Sequence, residues 1–344
     1  GKDWVPFKNG FPNVSTMDLV IQEKESALVV GTFGRAIWVL DDLKSLREIV
    51  RGNTKEKITS LPMNEVIQVK GLFIAPPGNI WTGFGTTFEG ENRPFQEAAI
   101  PIYINDLPSK EDKVEGFILN SKGDTIQKLT TQLLVQGLNY IQWKLDENRV
   151  YLSGNYDPNE SRGIPVLPGT YIAVIKYKGV QSSTSIKVIS DPRFKMKEEV
   201  DQELYRYNKA LNFEVGRLKS FFNLINSWES ELKKIHETLS KQTKNEKALK
   251  NVNGMIEMVK QLKLVGKDSP GDRQVGAWQS VRITPASAIN EAEKVAMARV
   301  DIPSEQDWKR ISDAATLIDN YKLQLSQFED SSWKKFIKLY RKSN

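Results

Sequence analysis

The stretch ALVVGTFGRAIWVLDD, residues 27–42, decides how the first part of this chain folds. Leu28, Val29 and Val30 form a short apolar run, Gly31 and Gly34 flank a turn, and AIWVL (36–40) returns. Asp41 and Asp42 close the stretch with residues that favour turns. Two apolar runs joined by a Gly-containing turn are a β-hairpin signature. STMDLVIQ (15–22) precedes it. A lone hairpin is marginal in water and needs a neighbour over its apolar face.

Outward from the hairpin, residues up to 194 stay rich in Gly, Pro and alternating apolar pairs. AAIPIYI (98–104) is the first clear strand of this part. EGFILN (115–120) and DTIQKL (124–129) flank the turn SKG, where Gly123 is free to take positive φ. LNYIQWKL (138–145) alternates, Pro168-Gly169 suits a type II turn, and TYIAVIKYKG with STSIKVIS makes a last hairpin over Gly179. Many short strands at this spacing predict an antiparallel sandwich of immunoglobulin-like type. At SDPRF (190–194), Pro192 biases Asp191 away from helix and the pattern changes.

From 195 on the period is helical. Leu204, Leu211, Leu218, Ile225, Leu232 and Leu239 recur every seven residues. Val200, Tyr207, Phe221, Trp228 and Ile235 form a second row, interrupted by Glu214. Such a seam needs partner helices, and residues 246–265, 284–300 and 304–328 supply candidates. Thr284-Pro285 reads as an N-cap and first-turn pair, and Ser304 with Asp307 as a capping box. An antiparallel helical bundle follows. The expected fold is therefore multidomain β plus α, with boundaries at 1–69, 70–194 and 195–344.

Composition narrows the function. There is no Cys, which excludes disulfides, thiol nucleophiles and Cys-ligated zinc, and the single histidine is His236. The net charge is +6. Residues 1–194 carry 22 Lys and Arg against 22 Asp and Glu, so the excess lies in the helical half, at 27 against 21. That is too dilute for the basic stripe of a nucleic-acid binder. No apolar run reaches the roughly 18 residues of a membrane span. The N-terminus has no apolar signal-peptide core, and a chain that starts on Gly1 is expected to be a trimmed fragment.

The blocks WVPFKNGFPNVSTMDLVI, LVVGTFGRAIWVLDD, GENRPFQEAAIPIYI, GLNYIQWKL and PVLPGTYIAVIKYKGVQSSTSIKVISDPR resemble, in order, the C-terminal third of exported bacterial proteins with a sortilin-like, BNR-repeat β-propeller. These are usually labelled glycosyl hydrolase or sialidase-like. The resemblance runs from residue 4 to about 194. It implies that residues 1–69 are a propeller-blade remnant and linker. It also implies that 70–194 is an immunoglobulin-like module similar to that of flagellar hook-capping proteins, and that the rest is a helical tail. It further implies export and a partner in the remainder of the propeller. The chain departs from the family in having Phe33 and Ala36 where His and Gly are common, and no Asp-box occurs.

Chemistry candidates are few. Asp41 and Asp42 are adjacent, so on a strand they point to opposite faces. Glycosidase carboxylates instead face each other across a cleft about 5–9 Å wide. They read as strand-end turn residues. Asp157, Asn159 and Glu160 in NYDPNESRG only loosely match a calcium loop. Trp81, Phe84 and Phe88, in the Gly-rich run 72–96, are either a stacking platform for a glycan or the packing of an irregular loop. They are the candidate ligand-binding residues. Arg273 and Trp278 join two helices and either hold an anion or peptide or cap the bundle end. His236 lies beside the seam. The expectation is a non-catalytic structural or accessory region with no cofactor. The alternatives are the accessory part of a glycoside hydrolase and a glycan- or protein-binding module.

Overall fold

The computed structural model describes residues 13–23, 26–40, 42–68, 97–132, 134–152, 163–192, 198–241, 246–267 and 283–343. The chain is α+β and divides into two compact units, Gly1–Asn148 with Arg162–Met196, and Arg149–Ser161 with Lys197–Asn344.

The first unit opens with an antiparallel three-stranded sheet, β1 (Thr16–Gln22), β2 (Ala27–Thr32) and β3 (Ile37–Leu40), in the order β1-β2-β3. The hairpin read from residues 27–42 is β2-β3, with Val30 opposite Trp38. Gly34 and Ala36 take positive φ in its turn, and the Thr32 hydroxyl donates to the Ala36 carbonyl at 2.6 Å. Helix α1 (Leu43–Val50) follows directly, an element the sequence reading did not anticipate.

The remaining strands are β4 (Ile58–Ser60), β5 (Val66–Gln68), β6 (Ala98–Ile104), β7 (Val114–Leu119), β8 (Thr125–Thr131), β9 (Gly137–Trp143), β10 (Asp146–Glu147), β11 (Ile164–Pro165), β12 (Gly169–Tyr177) and β13 (Val180–Ser190). They form a three-stranded sheet β4-β6-β9, a five-stranded sheet β5-β13-β12-β7-β8 and the small pair β10-β11. β5 runs parallel to β13, and the other pairings are antiparallel. Alternation decides what faces in. In β12, Tyr171, Ala173, Ile175 and Tyr177 are buried while Ile172 and Lys176 are exposed. Those residues join Ile100, Ile102 and Ile104 of β6, Ile118 of β7, Trp143 of β9 and Ile186 of β13 in one core, so the two larger sheets share an interior.

Pro101 marks where β4 leaves the sheet. Its carbonyl accepts from Leu61 N–H at 3.0 Å, but it has no N–H to return. The Leu61 carbonyl instead accepts the Thr184 hydroxyl of β13 at 3.0 Å, and Ser60 N–H donates to Ser182 Oγ at 2.8 Å. The chain is thus handed from one sheet to the other, where β5 begins.

The second unit contains α2 (Glu198–Ser240), α3 (Glu246–Gly266), α4 (Pro285–Ala298), α5 (Glu305–Phe328), a π-helical turn (Glu329–Trp333) and α6 (Lys334–Ser343). At about 1.5 Å per residue α2 is roughly 65 Å long. Tyr207, Leu211, Leu218, Ile225, Trp228, Leu232, Ile235 and Leu239 are buried along it, and their core takes in α3, α4 and α5. Glu214, which breaks the second row, is also buried, and Arg217 meets it at 2.7 Å. Both anticipated caps form. The Thr284 hydroxyl accepts from Ser287 N–H, and Ser304 and Asp307 bond each other reciprocally. Residues 150 and 152 belong to this core, since Val150 and Leu152 pack on it and Val150 N–H donates to Asn212 Oδ1 at 2.8 Å.

Candidate functional site

The feature that most needs an external partner is the sheet β1-β2-β3. All seven residues of β1 are exposed. The register puts Leu19, Val30 and Trp38 in one row, and Ile21, Leu28 and Leu40 in the next row on the same face. Val20, Val29 and Val39 line up on the opposite face, with Ile37 beside them. Leu19 is 59% exposed, Val20 55% and Ile37 70%. A sheet with water on one face normally turns polar residues to it, and strands apolar on both faces belong to sheets covered on both sides. Here both faces are apolar; among the described residues β1, Ile37 and Val39 are exposed, Leu28, Val29, Trp38 and Leu40 are half-buried, and Val30 is buried. Contiguous exposed apolar area of this kind marks an interaction surface.

Asp42 lies at the end of this sheet and is already committed. It is the N-cap of α1, accepting from Ser45 N–H at 3.0 Å, and it also accepts the Tyr140 hydroxyl at 3.3 Å. Its carboxylate holds a helix start in place. Asp41 lies outside the described residues.

A second concavity, about 500 Å³, sits at the β12-β13 hairpin and is lined by Lys113, Glu115, Lys176 and the turn Tyr177–Gln181. Lys178 and Gly179 both have positive φ, which gives the two-residue turn its twist. The Lys178 ammonium reaches Asp106 at 3.0 Å and Asp112 at 2.8 Å. Hydrogen bonds from Lys178 and from the Ser109 backbone hold the Asp112 carboxyl down at about 2, and the carboxylates raise Lys178 in turn. The Asp112 carboxylate therefore stays ionised at neutral pH and serves the lysine.

At the other end of the same strand pair, the Tyr171 hydroxyl donates to the Leu167 carbonyl at 2.6 Å, and its ring meets Trp143 edge-on at 5.3 Å. Burial pushes the Tyr171 phenol up to about 12, with Glu147 adding to the effect. Trp143 Nε1 donates to the Asp146 carbonyl at 2.8 Å, and the Asp146 carboxylate accepts from Gln127 and Gly163. These groups are satisfied by one another and present nothing to a substrate.

Among the described residues no group of three or more His, Asp or Glu is placed to hold a metal ion. No described helix is long and apolar enough to cross a membrane. His236 is half-buried on α2 beside Ile235, and its carbonyl accepts the Ser240 hydroxyl at 2.7 Å. Trp81, Phe84 and Phe88 lie outside the described residues, as do Asp157, Asn159, Glu160, Arg273 and Trp278. No family model matches the chain, and no curated protein matches it.

Proposed function

We propose that this chain is a non-catalytic structural and accessory region of an exported BNR-repeat β-propeller protein, with β1-β2-β3 serving as part of a blade. The observation that carries the reading is the two-sided apolar face of that sheet. A propeller blade stands between neighbouring blades and is covered on both faces, which is the environment Leu19 and Ile21 on one side and Val20 and Ile37 on the other require.

In the same reading the two larger sheets are an immunoglobulin-like sandwich. Support comes from the sheet order β4-β6-β9 against β5-β13-β12-β7-β8 and from the Tyr171 bond to Leu167 just upstream, the arrangement of a tyrosine corner. The second unit is an antiparallel helical bundle, favoured by the single core that draws on α2, α3, α4 and α5. In this reading both are structural and accessory, and neither needs a catalytic group of its own.

The test is amide hydrogen exchange at Leu28–Val30 and Ile37–Leu40, in this chain alone and in a polypeptide that carries the preceding blades. Strong slowing in the longer polypeptide is the expected result. Equal rates in the two would overturn the reading.

A further inference from the structure

We infer that the helical unit carries a binding site for an organic carboxylate, at the groove where the end of α4 meets the start of α5. This goes beyond the structural role proposed above and is independent of it.

The groove, of about 360 Å³, is lined by Glu291, Lys294, Val295, Ala298, Arg299, Asp307 and Arg310. Three cationic side chains thus face two anionic ones, and four of the five are already engaged. Lys294 meets Glu291 at 2.5 Å. Arg299 meets Asp307 at 2.7 Å, and Asp307 also accepts from Ser304 in the cap of α5. The guanidinium left over is that of Arg310, one helical turn beyond Asp307. It makes no ion pair or hydrogen bond among the described residues, and its Nε is buried.

A buried N–H donor without an acceptor is unfavourable, and native structures rarely leave one so. The planar fork of a guanidinium matches a carboxylate with two parallel bonds. Beside it, Val295 and Ala298, three residues apart on one face of α4, offer an apolar floor. Together these fit a carboxylate head on Arg310 with a short aliphatic stem over Val295 and Ala298. An inorganic anion would use only the first half of the site.

The test is titration of the intact chain with butyrate, acetate and inorganic phosphate, following by NMR the backbone amide resonances of Val295, Ala298 and Asp307, which line the groove in wild type and in every variant. Butyrate should give a saturable shift, roughly tenfold tighter than acetate because two more methylenes leave water. Arg310→Gln should abolish saturation. Arg310→Lys, which keeps the charge and loses the fork, should weaken it several-fold, and Lys294→Gln should change it less than about twofold. Phosphate binding as tight as butyrate would overturn the carboxylate assignment. A shift linear in concentration, or equal titrations in wild type, Arg310→Gln and Arg310→Lys, would overturn the site itself.

Discussion

Strands β1 and β6 are both seven residues long and both rich in β-branched and aliphatic side chains, yet they end in opposite surroundings. In β6, Ile100, Ile102 and Ile104 are fully buried between two sheets. In β1, Met17, Leu19 and Val20 are exposed by more than half of their surface and Ile21 by 49%. Strand propensity is the same, so propensity cannot be what separates them. What differs is the second layer. β6 has the five-stranded sheet opposite it, supplying Ile118, Ile175 and Ile186, and β1 has no such layer among the described residues. Apolar alternation in a sequence therefore identifies a strand, and only the count of available layers says whether its faces will be dry.

That contrast can be broken at several points. Trp143→Ala, in the covered pair, should cost about 3–5 kcal/mol in chemical unfolding, since it opens a cavity and strands the Asp146 carbonyl. A cost near zero would mean that the shared interior is not what holds these sheets. Tyr171→Phe keeps the ring on Trp143 and removes only the bond to Leu167, so about 1 kcal/mol should be lost. Asp112→Asn tests the hairpin end. The native carboxyl titrates at about 2, below its ordinary 3.8. Its contribution is therefore complete above pH 4 and disappears as pH falls toward 2. The variant should be slightly less stable than the parent at neutral pH, and the two unfolding curves should converge in acid. Smallest of all, Leu19→Ser with Ile37→Ser should alter stability by less than about 0.5 kcal/mol in this chain, because neither side chain is covered. The pair should also improve solubility. A large loss would show that these residues are buried in solution, which would erase the distinction between the two sheets.

The legible parts of the fold are those where one local pattern runs long enough to be counted. The strands of the β12-β13 hairpin over Gly179 run for nine and eleven residues, and the seam of α2 keeps its period along a 43-residue helix with one interruption, at Glu214. Both helix caps were also readable, Thr284 from the proline that follows it at the first helical position and Ser304 from Asp307 three residues on, because each pairing has a definite physical role. β4 and β5 were not readable. Three residues carry no period, and β5 pairs with Val188–Ser190, more than a hundred residues away. α1 was hidden by Asp42, which looks like the end of a strand and is at once the cap of a helix. The Arg310 groove gave no signal at all. A lysine or arginine on the polar side of a heptad is ordinary, and only coordinates show which neighbours are already taken.

The π-helical turn has a consequence for the length of the chain. Along α5 the buried positions are Ile311, Ala314, Ile318, Tyr321, Leu325 and Phe328, stepping by three and four. The same steps would next reach Ser332, but the buried residue is Trp333, and Phe336, Ile337 and Tyr340 follow it onto the core. The wide turn takes up one surplus residue, much as a leap day keeps a calendar in phase. A one-residue excision is therefore absorbed at Ser331 or Ser332 by reversion to ordinary helix. The same excision a few turns earlier would swing everything downstream by about 100° and face lysines toward Trp228.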